Sequence, residues 1–371
     1  MVENKRFYDL DWLRIFGMVG IFLFHNARFF NDEDWHVKNM TDDFGMTVFV
    51  AILNQFIMPL FFVLSAYAIY YSLKHRTGNQ FIRERVNRLL VPLGFGIFTH
   101  IIIQVYIERV THDQFTGTFW QFVPQYFKGW YGFGGNFAWM GLHLWYLLML
   151  FLFSWLTLPL FIKWKNENSF MTRLAETLAK PGMVFLFFIP IALVEMIVNQ
   201  FPDSIGIRSF GGWSPLTYLM IFILGYILVM DDRYRSAIER QRFLSLTLSL
   251  VALFGGFYLV LGMDVSTYNP GFAWIRGFNT WAWMLTFLGF ASRHLNFNNR
   301  FLNYANEAVL PFYILHQTVI VTLGFFIADW NIVAFPKFLF MIMVNFAVIM
   351  FIYEFVVKRI GALRYLFGMK G

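Results

Sequence analysis

Long apolar runs separated by short polar stretches recur from one end of the chain to the other. Each run is near the roughly 20 residues that a helix, rising about 1.5 Å per residue, needs to cross a hydrocarbon core of about 30 Å. The pattern predicts about ten spans, over residues 10–30, 46–73, 89–108, 138–162, 181–200, 213–230, 243–262, 271–291, 305–328 and 336–357. Pro59, Pro92, Pro159, Pro190 and Pro311 fall inside several of them, which a helix bundle tolerates where neighbours satisfy the freed backbone groups. There is no internal repeat, no heptad array, and no polar stretch long enough for a separate soluble domain. The expectation is therefore an all-α, polytopic transmembrane helix bundle forming one integral-membrane domain over residues 1–371.

Composition agrees. The chain is 58% apolar, 21% aromatic and only 14% charged, where a soluble domain carries about 25% charged residues. The net charge of +7 does not point to nucleic acid, because the basic residues cluster in the short loops between apolar runs. Of 29 Lys and Arg, 21 fall on one side together with both termini, and seven fall on the other (Arg28, Lys38, Arg109, Lys128, Arg208, Arg276 and Lys337), with Arg14 left inside the first span. The positive-inside rule then places both termini in the cytoplasm of a multi-pass protein of the cell (inner) membrane. The absence of cysteine excludes disulfides, thiolate metal sites and a cysteine nucleophile. The first run is expected to be retained, since Arg14 interrupts it and no small-residue cleavage site follows.

That first run, YDLDWLRIFGMVGIFLFHNARFF, carries Asp11, Arg14, His25 and Arg28. At about 100° per residue these four sit close to one helix face. A charge at the centre of a span costs at least about 3 kcal/mol, so such a stripe implies a polar cavity or partners inside the bundle. Arg14 and His25 are separated by about 16 Å along the axis and cannot touch, but both can line one cavity. Near neutral pH a free imidazole can take a proton from a hydroxyl and return it. Asp11, one turn before Arg14, is a plausible ion-pair partner. The alternative is a set of polar residues that only fixes helix packing.

Arg83, Arg85 and Arg88 lie at the start of the third span. They read either as a topology signal or, for Arg85 and Arg88 one turn apart, as guanidiniums placed to hold phosphates. His143 sits near the end of the fourth span and His316 near the middle of the ninth, where an imidazole needs a partner or a wet cavity. Glu307 falls on the opposite helix face from His316 and is not its expected partner. Glu354 reads as pairing with Lys358 one turn later. Ser65 has no base beside it and reads as packing. The acidic group Asp32, Glu33, Asp34, Asp42 and Asp43 lacks ligand-like spacing, so it reads as a solvated loop, and no metal site is expected. The longest loop, residues 109–137, contains KGWYGFGGNFAW at and beyond its end, which suits a ring-stacking or interfacial surface. No GxSxG elbow, Walker loop, HExxH or EF-hand pattern is present.

Taken together these segments resemble the acyltransferase family 3 of membrane O-acyltransferases. LDWLR followed by His25 reproduces the family's Arg-x10-His motif as Arg14 and His25, and RERVNR reproduces its Arg-x-x-Arg motif as Arg85 and Arg88. MPLFFVLSAY, HLWYL (His143, Trp145) and NEAVLPFYILHQ (Tyr313, His316) add to the likeness. WHVKN (Trp35, His36), the HLW motif and the ending that contains Glu354 look most similar to the glucan-biosynthesis members. The resemblance implies transfer of an acyl group, acetyl or succinyl, from a cytoplasmic acyl-CoA co-substrate to a hydroxyl of an extracytoplasmic glycan, polysaccharide or related acceptor. It implies essential roles for His25 and Arg14, a donor-binding role for Arg85 and Arg88, no permanently bound cofactor, and surrounding membrane lipid. A homo-oligomer stays open. Two departures stand out: Ala66 where the family usually has Gly, and Glu307 at a position usually small or neutral. The fused hydrolase-like domain of some relatives is absent, so transfer is expected to finish on the bundle or on a separate partner. The rival readings are a transporter or flippase for a glycan precursor, and an inactive scaffold.

Overall fold

A computed structural model describes residues 7–166 and 168–369, and among them every regular element is helical apart from one isolated bridge between Trp130 and Phe137. Helix occupies most of each of the ten apolar runs, with breaks inside several of them. Five helices are long and apolar enough to cross a membrane by length and composition: Phe44–Lys74, Leu142–Lys165, Arg242–Gly262, Arg300–Ile327 and Ala334–Val357. Seven qualify if each of two bent pairs counts as one span; Gly78–Phe98 with Ile101–Thr111 bends by 44°, and Pro215–Val229 with Asp232–Arg240 by 101°. The helix Tyr8–Arg28 has 21 residues, but Asp11, Arg14, His25 and Asn26 leave it too polar to qualify on composition. Large apolar side chains on these helices are exposed, such as Phe243, Val251, Phe254 and Leu261 along Arg242–Gly262. In water such a face would drive aggregation, and in lipid it is solvated.

The chain divides into two compact units that interleave along the sequence. The first comprises the described residues up to Gly17 together with Asn54–Ile82 and Leu152–Asn303. At its centre Pro270–His294 packs against Phe188–Val198, Asp232–Arg240 and Arg242–Phe257, while Ile57–Lys74 packs along Pro215–Val229. These crossings are close: a Cβ added to Gly225 would lie 2.9 Å from the Val63 Cα, the small-residue contact that lets helices associate where lipid supplies no hydrophobic drive. One cluster of buried charge in this unit centres on Glu195. Glu195, fully buried, meets Arg276 at 3.2 Å and Arg208 at 3.6 Å and accepts a hydrogen bond from Thr217.

The second unit comprises Met18–Leu53, Arg83–Phe151 and the described residues from Tyr304 onward. The Asn345 amide donates to Asn26 across 2.8 Å in the core, and Phe22 lies edge-on to Phe312. Val86–Leu90 is a π-helical turn between Gly78–Arg85 and Val91–Phe98. Pro92 accounts for it: the ring has no N–H for the Arg88 carbonyl four residues back and would crowd it in an α-helix, and the wider turn relieves both. Arg85 and Arg88, expected one α-turn apart, therefore straddle a change of helical pitch.

Candidate active site

The end of Tyr8–Arg28 sets His25 among aromatic rings of the second unit. Its imidazole stacks on Trp35 (centroids 6.2 Å) and tilts against His316 (5.0 Å), and His316 in turn meets His143 edge-on (5.0 Å). His100 continues the row at 6.5 Å from His143. His316 is fully buried and His143 nearly so. The sequence offered His25, His143 and His316 as separate candidates on three spans, and the fold brings them into one cluster with Trp35 and His36.

A hydrogen-bond network fixes the tautomers of His316, His143 and His36. His316 Nδ1 lies 2.6 Å from the Tyr313 carbonyl oxygen, which only accepts, so Nδ1 carries the proton and Nε2 is a bare lone pair. His143 donates from Nε2 to the Ile314 carbonyl at 3.1 Å and accepts at Nδ1 from the Gln104 amide at 3.4 Å. His36 donates from Nδ1 to the Glu108 carboxylate and accepts at Nε2 from the Gln317 amide at 2.9 Å. Gln317 also donates to Gln104 Oε1 at 3.1 Å, and Gln104 donates to Thr318 at 2.6 Å. One polar chain thus runs Glu108–His36–Gln317–Gln104–His143.

Within this cluster four buried polar atoms of the described residues are left over, His100 Nε2 and Gln317 Oε1 among them. His25 Nδ1 and His316 Nε2 are buried and have no hydrogen-bond partner among the described residues. A buried polar atom left unpaired costs about 1–3 kcal/mol, and a ligand that supplies the partner removes that cost. Tyr313 steadies the cluster by donating its hydroxyl to the His143 carbonyl and by packing its ring on His316 (5.7 Å). Trp145 opens the next helix and packs on Tyr146 (6.4 Å), whose ring reaches Tyr313 (6.2 Å).

Glu108 was missed in the sequence because it lies 72 residues from His36. The carboxylate also accepts from the Tyr131 hydroxyl and the Arg109 guanidinium, each at 2.8 Å. Beside it, His112 ends the Ile101–Thr111 helix and reaches Asp34 at 3.0 Å. Partial burial disfavours the His112 charge, but hydrogen bonds to Asp34 and to the Glu108 carbonyl outweigh it and raise the pKa. A raised folded-state value means that the pair stabilises fully below the ordinary value of about 6.5 and loses that contribution as pH climbs through the raised one. Asp34→Asn is expected to lower the melting temperature near pH 5 and leave it unchanged near pH 9. The difference should stay under about 1 kcal/mol for so exposed a pair, and thermal melts at the two pH values check it.

The remaining candidates occupy other positions. Arg14 and Asp11 belong to the first unit, paired at 2.8 Å as their spacing predicts. Arg85 is half-buried and Arg88 exposed on the second unit's Gly78–Phe98 helix. Glu354 pairs with Lys358 at 3.0 Å, as expected, and also accepts from the Tyr304 hydroxyl. Glu307, without an account in the sequence, meets Arg364 at 3.2 Å.

A family model for an acyltransferase domain, the third acyltransferase family, matches residues 7–354. The chain belongs to this family. It is a membrane-embedded acyltransferase. Curated relatives aligned over its whole length include proteins named glucans biosynthesis protein C from Escherichia coli O139:H28 (26% identical over 395 residues), Shigella dysenteriae serotype 1 (26% over 391) and Salmonella heidelberg (24% over 390). The alignments span 96% of each relative's own length. No solved structure matches the chain.

Proposed function

We propose that this acyltransferase moves an acetyl or succinyl group from cytoplasmic acyl-CoA to a hydroxyl of an extracytoplasmic glycan, through a bundle of about ten spans with both termini in the cytoplasm of the inner membrane. The observation that carries the reading is His25, a half-buried imidazole in a packed cluster whose Nδ1 has no hydrogen-bond partner among the described residues, at the histidine position of the family's Arg-x10-His motif. His25 takes the proton of the acceptor hydroxyl, and the oxygen attacks the thioester carbonyl carbon. The adduct collapses with cleavage of the C–S bond, and the imidazolium returns its proton to the departing thiolate. His316, His143 and Tyr313 hold the ring in place, and the Glu108–His36–Gln317 chain fixes the neighbouring imidazole in a single tautomer. Arg14 steadies an anionic group of the donor, held in turn by Asp11.

Arg85 and Arg88 bind the phosphates of the donor. Their guanidiniums present paired donors suited to phosphate oxygens, and the π-turn that follows Arg85 and contains Arg88 belongs to a class of helix irregularity frequent at functional sites. Replacing both with Ala is expected to raise the KM for acyl-CoA at least about tenfold, the cost of one charge-assisted hydrogen bond, with little change in acceptor KM. Steady-state kinetics on the purified full chain in nanodiscs, varying each substrate in turn, checks this. An unchanged acyl-CoA KM would remove the assignment. The primary experiment is acyl transfer from radiolabelled acetyl- or succinyl-CoA to a soluble glucan by the same preparation. A chain that binds no acyl-CoA and labels no glucan would overturn the proposed reaction.

A further inference from the structure

We propose that the turn Lys128–Trp139 is a carbohydrate-binding platform on which Trp130 and Trp139 stack the sugar rings flanking the acylated residue; naming a glycan as occupant rests on the acyl-transfer reading above. The turn is built rather than loose. The Trp130–Phe137 bridge closes it, and its backbone crosses itself so tightly that a Cβ on Gly135 would lie 2.1 Å from the Gly129 carbonyl carbon. Arg109 pins it from below, donating to the Asn136 side chain at 2.8 Å and to the Gly135 carbonyl at 3.1 Å. The indole N–H of Trp139 is tied to the Tyr131 carbonyl at 3.3 Å.

A turn fixed by so many polar contacts nevertheless presents its largest rings outward. Trp130 is 61% exposed and Phe133 77% exposed. Trp130 and Trp139 lie 5.8 Å apart at 38°, so together they form a bent aromatic surface rather than a closed stack. Flat rings of this kind cover the apolar faces of pyranoses, while the ring hydroxyls are left to polar neighbours such as Lys128. The platform is continuous with the candidate site. Tyr131, next in the chain to Trp130, gives its hydroxyl to Glu108; Glu108 holds His36; and His36 packs on Trp35 (5.6 Å), which stacks on His25. An extended oligosaccharide seated on Trp130 and Trp139 is thereby connected, through one rigid set of side chains, to the imidazole that would activate its hydroxyl. The competing occupant is the lipid headgroup layer, where tryptophans also gather.

Wild type, Trp130→Leu, Trp130→Tyr and Trp139→Leu chains, purified full length in nanodiscs, would be titrated with soluble glucohexaoses of defined linkage, following tryptophan fluorescence and calorimetric heat. Saturable binding of at least one glucohexaose is expected, weakened at least about tenfold by either Leu substitution and restored by Tyr at position 130; tenfold corresponds to about 1.4 kcal/mol. Leu keeps the apolar character an interfacial anchor needs but has no ring, so wild-type affinity in both Leu variants would overturn the platform in favour of lipid. Failure of the wild-type chain to bind any glucohexaose would overturn it as well. The two readings fail separately. Trp130-dependent binding without acyl transfer would leave the platform standing and end the proposed reaction, whereas acyl transfer with an unchanged acceptor KM in the Leu variants would do the reverse.

Discussion

Replacing His25 with alanine is expected to reduce acyl transfer by about two to four orders of magnitude, the range that a positioned general base supplies, without unfolding the protein. The side chain is half-buried, its Nδ1 bonds to nothing among the described residues, and its ring is held by face and edge contacts alone. Its loss therefore removes the imidazole and its ring contacts but strands no hydrogen-bond partner. His25→Gln sharpens the test because it keeps a polar side chain of comparable reach that cannot accept and return a proton. His316→Gln provides the contrast: its Nδ1 bond to the Tyr313 carbonyl can be replaced by an amide N–H, so its effect should be smaller than that of His25→Gln. Acyl-CoA-dependent labelling of glucan, read beside the gel-filtration profile of each variant, decides the matter. Full activity in a well-folded His25→Ala chain would remove the base from the mechanism.

The helices were legible in the sequence because a membrane leaves the backbone few alternatives to a run of internal hydrogen bonds. Local pairs were legible for the same geometric reason. Asp11 with Arg14, and Glu354 with Lys358, lie three and four residues apart on a helix, and both pairs are formed. The irregular places were less so. Pro92 marked a disturbance in the third span, but periodicity does not distinguish a kink from the π-turn that changes the pitch between Arg85 and Arg88. Partners from distant segments carried no signal at all. Glu307 is paired with a residue 57 positions later, His36 with a carboxylate 72 positions later and Gln317 with an imidazole 281 positions earlier. His25 and His316 carried a cost in a membrane and His143 was a candidate near a span end, yet their assembly into one cluster belongs to the packing of helices and not to any stretch of residues. A buried group without a local partner was the only trace of that cluster in the sequence.

The same logic gives the largest expected effect on stability, at Glu195. This carboxylate is fully buried with Arg276 at 3.2 Å, Arg208 at 3.6 Å and a hydrogen bond from Thr217. Two cations share one anion, so the cluster is short of negative charge. Burial and the second guanidinium both disfavour the charge of Arg208, and Glu195 supports it. Further contacts hold the guanidiniums: Arg276 lies 3.8 Å over the Trp213 ring and donates to the Gly212 carbonyl, and Arg208 donates to Asn199 at 2.7 Å and lies 4.0 Å over Tyr268. Removing the carboxylate strands Arg276 with no compensating anion, which costs about 3–5 kcal/mol for a buried pair. Glu195→Ala should therefore melt far below wild type or fail to accumulate as a monodisperse species. Replacing Glu195 and Arg276 together with Leu and Met removes both charges and keeps the volume, and should recover much of the loss. Thermal melts of Glu195→Leu, Arg276→Met and the double variant, purified in one detergent, form the cycle. A double variant no more stable than Glu195→Leu would mean that the damage comes from lost packing or from Arg208, and not from the stranded charge of Arg276.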